Sequence, residues 1–531
     1  MFLSVIKSKN QKNSFAKLVF AGIFIIFGIS AWGGDQFFLL PLGLFLFTLP
    51  FLRSDHKFLL WSIPTFTIST ISASLVFERL GTNFVMGLGG FSLIIPTIFL
   101  ICCILIQNRS DPSHKTRNGL IFLVALIVVA SSLLVFSIDS ELIQLPSFRY
   151  LNAINPFLIT SDPLVDSVAE HATTTIQQSF LFHSILMLFA GIAVWLLLTN
   201  SKKYDVRNDM LSFTLIIGMF GVYISSAFVR LEVFASLSII IFSSLSLSIL
   251  LREFFSNKTK TTTISNVIIK SSFALGIIVL LVIPLSFPEN STIFAITDSP
   301  PTILNGGTNF QISQNDWIES LTWVKNNTPD DSVVASWWDY GYWIQTKGER
   351  ATIADNSTLS TYFIKILAKT FLETPEQGWQ SLQKLDADYF IVFVSSQRID
   401  YTGSESQPLY LLGGGGDESK KQWFMRIANE PLNKHLHSDG RSGTDHFWND
   451  TMLGNMIPYS VIGYINTQTD QQSLTYQHGF TPIYEKNIKF PENGDHPLRL
   501  VYASPSFNVE KNGYVIGVFV YEVNKDYVPK N

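Results

Sequence analysis

Residues 336–343 read Ser-Trp-Trp-Asp-Tyr-Gly-Tyr-Trp. Three tryptophans, two tyrosines, an acid and a glycine are an unusual composition for a core strand, because buried indole N–H groups and carboxylates need partners. One interpretation is a rigid pocket with aromatic walls and one carboxylate acceptor, in which the glycine lets the backbone approach closely. The other is an aromatic turn packed against a membrane surface. Composition alone does not separate the two.

The residues that precede this cluster are strongly apolar. The chain has 531 residues and is 47% hydrophobic, and up to residue 287 it contains nine apolar runs. Each run is close to the roughly 20 residues that a helix needs to cross a bilayer. We predict membrane spans at 17–34, 37–52, 58–76, 90–107, 119–138, 180–199, 209–228, 231–251 and 267–287. Residues 1–287 are thus predicted to form a multi-span membrane domain.

Lysines and arginines in the connecting segments set the orientation, because they accumulate on the cytoplasmic side. One side receives 16 of them, and the opposite side receives only Arg79, Arg149 and Arg230. With an odd number of spans the N-terminus lies inside and residues 288–531 lie outside. The prediction is a multi-pass cell-membrane protein whose soluble domain is on the extracytoplasmic face.

Residues 288–531 are predicted to form a mixed α/β soluble domain, β-rich from about residue 458. We predict helices at 317–324, 361–371, 376–385 and 417–428, and strands at 333–335, 389–394, 461–465, 482–488, 498–503 and 514–523. The two cysteines, Cys102 and Cys103, lie together in a predicted membrane helix, so no disulfide stabilises this domain. About 240 residues are enough for a hydrophobic core of its own.

Two external segments carry charges with possible chemistry. The loop 139–179 contains Asp162-Pro-Leu-Val-Asp-Ser-Val-Ala-Glu170-His171, whose acids could bind a divalent cation or an amide. Taken alone, ordinary solvated charges are the favoured interpretation. Arg230, in a short external turn, could hold a phosphate through two hydrogen bonds. Taken alone, a snorkelling arginine with Glu232 as partner is favoured.

These features together resemble one known family. Trp337-Trp338-Asp339-Tyr340-Gly341 is the WWDYG signature of the catalytic subunit of oligosaccharyltransferase, the enzyme of asparagine-linked glycosylation. The segment 163–171 resembles the family's long external loop, whose Ser-Val-Ser-Glu-type motif ends in a functional glutamate. Val229-Arg230-Leu231 resembles the segment with a lipid-phosphate-binding arginine, and 352–358 resembles the segment after WWDYG. Motif order and topology also match, so the resemblance covers essentially the whole chain and implies a membrane domain of the GT-C type.

The helix predicted at 417–428 carries a further motif. Asp417-Glu-Ser-Lys420-Lys-Gln-Trp-Phe424-Met-Arg-Ile427 resembles the family's D-x-x-K-x-x-x-M-x-x-I helix, with Phe424 in place of methionine. Helical offsets of 3 and 4 share one face, so Lys420, Phe424 and Ile427 can line one pocket. An amphipathic surface helix is the alternative. The lysine type indicates an archaeal-like or eukaryotic member.

The resemblance implies that a polyprenyl phosphate or diphosphate donates an oligosaccharide to the asparagine of Asn-x-Ser/Thr sequons. It also implies roles for residues. Glu170 contacts the acceptor amide and helps to hold a divalent metal, Mn²⁺ or Mg²⁺, while Arg230 binds the donor phosphate. The acceptor-binding residues are Trp337, Trp338, Asp339, Tyr340, Gly341, Lys420 and Ile427.

The chain departs from the family in one respect. The resemblance begins near the fifth span of longer members, at Ala31-Trp-Gly-Gly-Asp35, without the acidic motifs of the first four spans. A single glutamate is a poor Mg²⁺ or Mn²⁺ site. We therefore expect a truncated product, a mispredicted start or half of a split enzyme, with a separate N-terminal fragment as partner. The alternatives are a non-catalytic sequon-binding subunit and a related membrane glycosyltransferase.

The external part also contains sequons of its own, which chance or self-modification can explain. They begin at Asn290, Asn326, Asn356 and Asn449.

Overall fold

The computed structural model describes most of the chain, in two compact units. The described residues are 1–7, 13–77, 80–140, 155, 162–200, 203–204, 206–255, 264–286, 300–358, 360–399 and 408–529. The first unit comprises Met1–Ser161 and Val168–Phe294, and the second comprises Asp162–Ser167 and Ala295–Asn531. The predicted domain boundary at 287/288 and residues 141–154 and 156–161 of the predicted loop 139–179 lie outside the described residues.

The first unit is helical. Its helices are α1 (Phe2–Lys7), α2 (Ser14–Ala31), α3 (Leu39–Leu52), α4 (His56–Ser74), α5 (Gly81–Val85), α6 (Leu88–Arg109) and α7 (Lys115–Ser140), followed, after α8 (Pro163–Ser167) of the second unit, by α9 (Ile176–His183), α10 (Leu186–Asn200), α11 (Asn208–Ser225), α12 (Glu232–Phe255) and α13 (Ile264–Ser286). Short 3-10 helices span Gly33–Phe38, Ala169–His171 and Val229–Leu231.

All nine predicted runs fall on helices, but fewer helices than predicted are long and apolar enough to cross a membrane. Among the described residues, six helical segments are long and apolar enough to cross a membrane, namely Ser14–Ala31, Gly33–Leu52, Leu88–Arg109, Lys115–Ser132, Asn208–Ser225 and Val229–Phe255. The run predicted at 180–199 is broken at Ser184, whose φ of 47° ends α9 before α10 begins. Since α4 is rich in serine and threonine, it is less apolar than a typical span.

Small residues let the helices of the first unit approach closely. A Cβ on Gly22 of α2 would lie 2.8 Å from the backbone nitrogen of Thr70 in α4. A Cβ on Gly43 of α3 would collide with the carbonyl oxygen of Ser92 in α6. Close backbone contact of this kind is how helices associate where no water-driven hydrophobic effect is available.

The second unit is a mixed sheet with helices. Its strands are β1 (Val333–Ala335), β2 (Ala351–Thr352), β3 (Tyr389–Ile399), β4 (Leu409–Leu412), β5 (Tyr459–Ile465), β6 (Gln472–Ser473), β7 (Thr481–Lys486), β8 (Leu498–Ala503) and β9 (Tyr514–Val523). The order along the sheet is β2-β1-β3-β4-β7-β5-β6, with β9 pairing β3 and β8 pairing β9. Among the described strands, the pairs β1–β2 and β1–β3 are parallel and the others are antiparallel. The predicted mixed α/β class is confirmed.

The helices of this unit after α8 vary from one turn to three. They are α14 (Thr302–Asn305), α15 (Asp316–Asn327), α16 (Gly341–Thr346), α17 (Thr361–Leu372), α18 (Pro375–Lys384), α19 (Asp417–Ala428), α20 (Leu432–His435), α21 (Asp445–Asp450), α22 (Met452–Met456) and α23 (Pro505–Asn508). A 3-10 helix spans Trp338–Tyr340. Helix α8 contacts α19 and buries Leu164 and Val165.

One edge of strand β3 has a gap in its strand pairing, and this gap lies at the site. On one edge, β9 pairs with it from Tyr389 to Gln397. On the other edge, β1 pairs with Tyr389 and Phe390, and β4 pairs only from Ser396 onward. Between β1 and β4, residues 391–395 therefore have no strand neighbour on that edge among the described strands. The chain after β1 and the start of α19 meet at this interval.

Candidate functional site

The WWDYG residues follow directly on the carboxyl end of β1. Strand β1 ends at Ala335, and the chain then forms the 3-10 helix Trp338–Tyr340 and α16. A Cβ on Gly341 would lie 2.5 Å from both the carbonyl oxygen of Ala354 and the Cα of Asp355. Since neither backbone atom can move aside cheaply, only glycine allows the segment after β2 to contact the cluster this closely.

The start of α19 packs against the unpaired edge of β3, at residues 391–395. Asp417 is completely buried, and its two carboxylate oxygens accept hydrogen bonds from the Tyr340 hydroxyl and from the backbone N–H of Phe393, each at 2.8 Å. The preceding loop contains Gly413, Gly414 and Gly415, whose φ angles of 150°, 74° and 128° are ones that other residues rarely adopt. Asp417 thus ties the WWDYG tyrosine, β3 and α19 together.

Asp339 and Lys420 form the partly exposed part of the site. The Lys420 ammonium lies 2.5 Å from a carboxylate oxygen of Asp339 and donates to the Tyr340 hydroxyl at 2.9 Å. The side chain of Asp339 remains 30% exposed, and that of Lys420 is 21% exposed. A charged acceptor is therefore held in a fixed place at the surface of an aromatic cluster, and it is accessible to a ligand.

Burial controls the protonation of the inner residues. Desolvation, followed by the charges of Asp417 and Asp339, raises the pKa of Tyr340 well above its ordinary value, so the hydroxyl stays neutral. Desolvation also raises the pKa of Asp417 to about 6, although Lys420 and the two hydrogen bonds oppose the rise. The ordinary value for this carboxyl is 3.8.

The aromatic wall differs in detail from the expected pocket. Trp337 is nearly buried and packs edge-on against Phe424 with ring centroids 4.5 Å apart, and Phe424 stacks on Phe371 at 5.0 Å. Phe424 is completely buried, so it supports Trp337 from beneath. Ile427 is also buried. The indole N–H of Trp338 is buried and has no hydrogen-bond partner among the described residues.

Asn356 is a site residue that the sequence did not identify. Its side-chain amide donates to the carbonyl oxygen of Asp339 at 2.8 Å and accepts from the backbone N–H of Tyr342 at 3.1 Å. Asn356 thus fixes the backbone on both sides of Tyr340. The segment 352–358 was part of the family resemblance, but only the folded chain shows what this side chain contacts.

Glu170 and Arg230 come together in the first unit. The Nε of Arg230 lies 3.4 Å from a carboxylate oxygen of Glu170, and the two side chains are 45% and 62% exposed. The backbone N–H of Val229 donates to the carbonyl oxygen of Ala172 at 2.9 Å, which joins their two 3-10 helices. Glu232, the partner considered for Arg230 from the sequence, instead contacts His183. The acceptor-binding candidates all belong to the second unit.

The residues present do not form a metal site by themselves. No group of three or more His, Cys, Asp or Glu side chains within the described part of the chain could hold a metal ion. Glu170 supplies one carboxylate, which already faces a guanidinium. Because a hard divalent cation needs several oxygen ligands, these residues alone do not fit Mn²⁺ or Mg²⁺.

Comparison with known proteins adds to this geometry. No model of a known protein family matches the chain. The dolichyl-diphosphooligosaccharide–protein glycosyltransferase subunit STT3 of Dictyostelium discoideum is 24% identical over 498 residues, 90% of this chain and 65% of the relative. Subunit STT3B of Oryza sativa is 23% identical over 545 residues, 95% of this chain and 70% of the relative. The chain thus spans less than two thirds of the first of these relatives.

Three structures of the Archaeoglobus fulgidus oligosaccharyltransferase share the fold, each at 16% identity. The structure of AglB in complex with an inhibitory peptide and a dolichol-phosphate has a TM-score of 0.54. The match covers 87% of this chain and 59% of the archaeal chain. The structure tethered to an acceptor peptide with the NVT sequon has a TM-score of 0.56, and the match covers 95% of this chain and 60% of the archaeal chain. The structure in complex with Zn and sulfate has a TM-score of 0.51, and the match covers 87% of this chain and 58% of the archaeal chain.

The class that the fold defines is an apolar helical region followed by a mixed-sheet domain, a fold that the chain shares with the archaeal oligosaccharyltransferase. The sequence similarities agree with the structural ones. The chain is homologous to the STT3 catalytic subunits of oligosaccharyltransferases.

Proposed function

We propose that the chain transfers an oligosaccharide from a polyprenyl phosphate or diphosphate to the asparagine of Asn-x-Ser/Thr sequons. The observation that carries the proposal is the Asp339–Lys420–Tyr340–Asp417 network at the WWDYG cluster, in a homologue of the STT3 subunits. The archaeal structure with a tethered sequon peptide supports an acceptor of this class.

The acceptor is recognised through the Ser or Thr hydroxyl. Asp339, whose side chain is partly exposed, accepts from this hydroxyl, and Trp337 and Trp338 form the aromatic wall beside it. Lys420 holds Asp339 in place, and because the carboxylate already faces an ammonium group, it serves recognition and not proton abstraction. A sequon without the hydroxyl cannot make this hydrogen bond to Asp339, which is a strong basis for discrimination. Tyr340, Gly341 and Ile427 shape the same pocket.

Transfer forms a bond between the acceptor amide nitrogen and C1 of the first sugar. The bond between C1 and the phosphate oxygen breaks, the phosphate leaves with the electron pair, and the proton that the amide nitrogen loses is taken up by the leaving phosphate. Glu170 contacts the amide, and Arg230 binds the leaving phosphate through its guanidinium. The exposure of both side chains leaves them open to such ligands.

A divalent metal, Mn²⁺ or Mg²⁺, and further partners are part of the proposal. When bound, the metal would stabilise the charge that develops on the leaving phosphate. Glu170 would be one of its ligands. The partners are the lipid-linked donor and the acceptor polypeptide. The soluble domain is placed on the extracytoplasmic face of the cell membrane.

Asp339→Ala tests the proposal directly. The intact chain is purified in detergent, and both the binding of labelled Asn-x-Thr and Asn-x-Ala peptides and glycan transfer to them are measured with Mn²⁺. We expect Asp339→Ala to remove most of the preference for Asn-x-Thr in peptide binding, at least tenfold, because the hydroxyl loses its acceptor. The control, Asp331→Ala, changes an exposed carboxylate of the same unit and should keep the preference.

An unchanged preference in Asp339→Ala would contradict the pocket assignment. Peptide binding without transfer under every condition would support the non-catalytic sequon-binding alternative.

A further inference from the structure

The turn that carries Arg230 is held by a buried pair of ionisable side chains. His183 is the last residue of α9 and Glu232 is the first residue of α12, and Nε2 and Oε1 lie 2.7 Å apart. Each residue is only 5% exposed. Because Glu232 follows Arg230 by two residues, its hydrogen bond also fixes the 3-10 helix Val229–Leu231. The proposed function gives neither His183 nor Glu232 a role.

Stability does not explain this pair. Taking a carboxylate and an imidazole out of water is costly, and apolar side chains of similar volume are often equally stable in such places. The second oxygen of Glu232, Oε2, is buried without a hydrogen-bond partner in the part of the chain that the structure describes. Ionisable residues buried in an apolar helical region more often serve function than stability.

Other contacts join the same two segments around Arg230. The hydroxyl of Thr174 donates to the carbonyl oxygen of Ser225 at 3.0 Å, and the rings of His171 and Phe228 lie 5.0 Å apart. These contacts precede Arg230 in the turn, and the His183–Glu232 bond follows it. The turn that carries Arg230 is therefore held on both sides of this residue.

We propose that Glu232 and His183 are positioning residues for Arg230. Their hydrogen bond locks the first residue of α12 to the end of α9 and so holds the guanidinium where it binds a lipid phosphate. Neither residue touches the phosphate. This inference rests on the proposed function, in which Arg230 is the phosphate-binding residue.

Binding of dolichyl phosphate to the intact, detergent-purified chain tests the proposal. Glu232→Leu removes the hydrogen bond to His183 and should weaken binding at least tenfold, whereas Glu232→Gln keeps a hydrogen-bonding group and should stay within about threefold. Glu253→Leu is the matched control, because Glu253 lies in the same helix and faces the exposed Lys203 at 3.2 Å. It should bind dolichyl phosphate as the unmodified chain does.

Two further measurements separate positioning from a general loss of structure. Binding of an Asn-x-Thr peptide should be unchanged in Glu232→Leu, which shows that the variant is folded. If Glu232→Leu also loses peptide binding, His183→Gln, which retains a polar side chain, takes its place. In an Arg230→Ala background, Glu232→Leu should cause no further loss, because Glu232 acts only through Arg230.

The outcomes are distinguishable. If Arg230→Ala binds dolichyl phosphate normally, the proposed donor site is wrong. If Arg230→Ala weakens binding but Glu232→Leu and His183→Gln do not, the donor site stands and the positioning role is wrong. Additive losses in the double variant would also overturn the positioning role.

Discussion

Asp417 gives the soluble unit a pH dependence of its own. Burial raises its pKa from 3.8 to about 6, so the folded chain binds this proton more tightly than the unfolded chain. The resulting stabilisation is fully present below about pH 4 and is lost as the pH rises through 6. The change corresponds to roughly 3 kcal/mol in the free energy of unfolding.

Asp417→Asn cannot titrate, so it should lack this contribution. We expect the free energy of unfolding of the unmodified chain to fall relative to that of the variant between pH 4 and pH 6. Guanidinium unfolding of the intact chain in detergent, followed by tryptophan fluorescence, measures the difference. Asp331→Asn, at an exposed carboxyl, is the control and should run parallel to the unmodified chain. Parallel curves for Asp417→Asn would contradict the assignment.

The sequence identified several single residues of the site, but it did not predict which atoms of these residues are in contact. The WWDYG signature and the Asp417–Ile427 motif named Asp339, Tyr340 and Lys420 without showing which atoms meet. The site contacts of Asn356 and the His183–Glu232 hydrogen bond were not predicted, because hydrogen bonds between residues distant in sequence leave no local pattern.

Helix α19 is the element on which the pocket wall depends. Phe424 occupies the position at which the family has methionine, and it packs between Trp337 and Phe371. Phe424→Ala should cost roughly 3–5 kcal/mol in the free energy of unfolding and weaken peptide binding. Phe424→Met conserves much of the volume and should cost less than about 1.5 kcal/mol. Chemical unfolding and peptide titration of the intact chain measure both effects.

Phe363→Ala is the control for this substitution, because Phe363 is 39% exposed in the neighbouring α17. It should be much less destabilising than Phe424→Ala. Equal costs at the two positions would show that Phe424 is not a packing residue of the wall.

Elements with a strong local pattern were predicted well. The amphipathic helix 417–428 and the strands 333–335, 498–503 and 514–523 have the predicted bounds. Strand β3 was predicted to end at 394 but continues to Ile399 through Ser395, Ser396 and Gln397. These polar residues stay in the strand because β9 and β4 hydrogen-bond to its backbone, which the sequence of β3 itself does not reveal.

At the scale of the whole molecule, folding decides which of the chain's own sequons can be substrates. Asn326 and Asn449 are exposed, but Thr328 and Thr451 of the same sequons are buried. The Thr328 hydroxyl donates to a helix carbonyl oxygen at 2.7 Å and accepts from the Arg350 guanidinium at 2.9 Å. The Thr451 hydroxyl donates to a carbonyl oxygen at 2.6 Å and accepts from a backbone N–H at 3.0 Å.

A pocket that recognises the sequon hydroxyl cannot bind one that is already buried and bonded. We therefore expect no glycan at Asn326 or Asn449 when the folded chain is incubated with a lipid-linked oligosaccharide and an active oligosaccharyltransferase. Synthetic peptides of the same sequences should be modified, because their threonines are free. Mass spectrometry of the digested chain measures occupancy at each asparagine. Occupancy of the folded chain equal to that of the peptides would show that burial of the threonine does not protect these sequons.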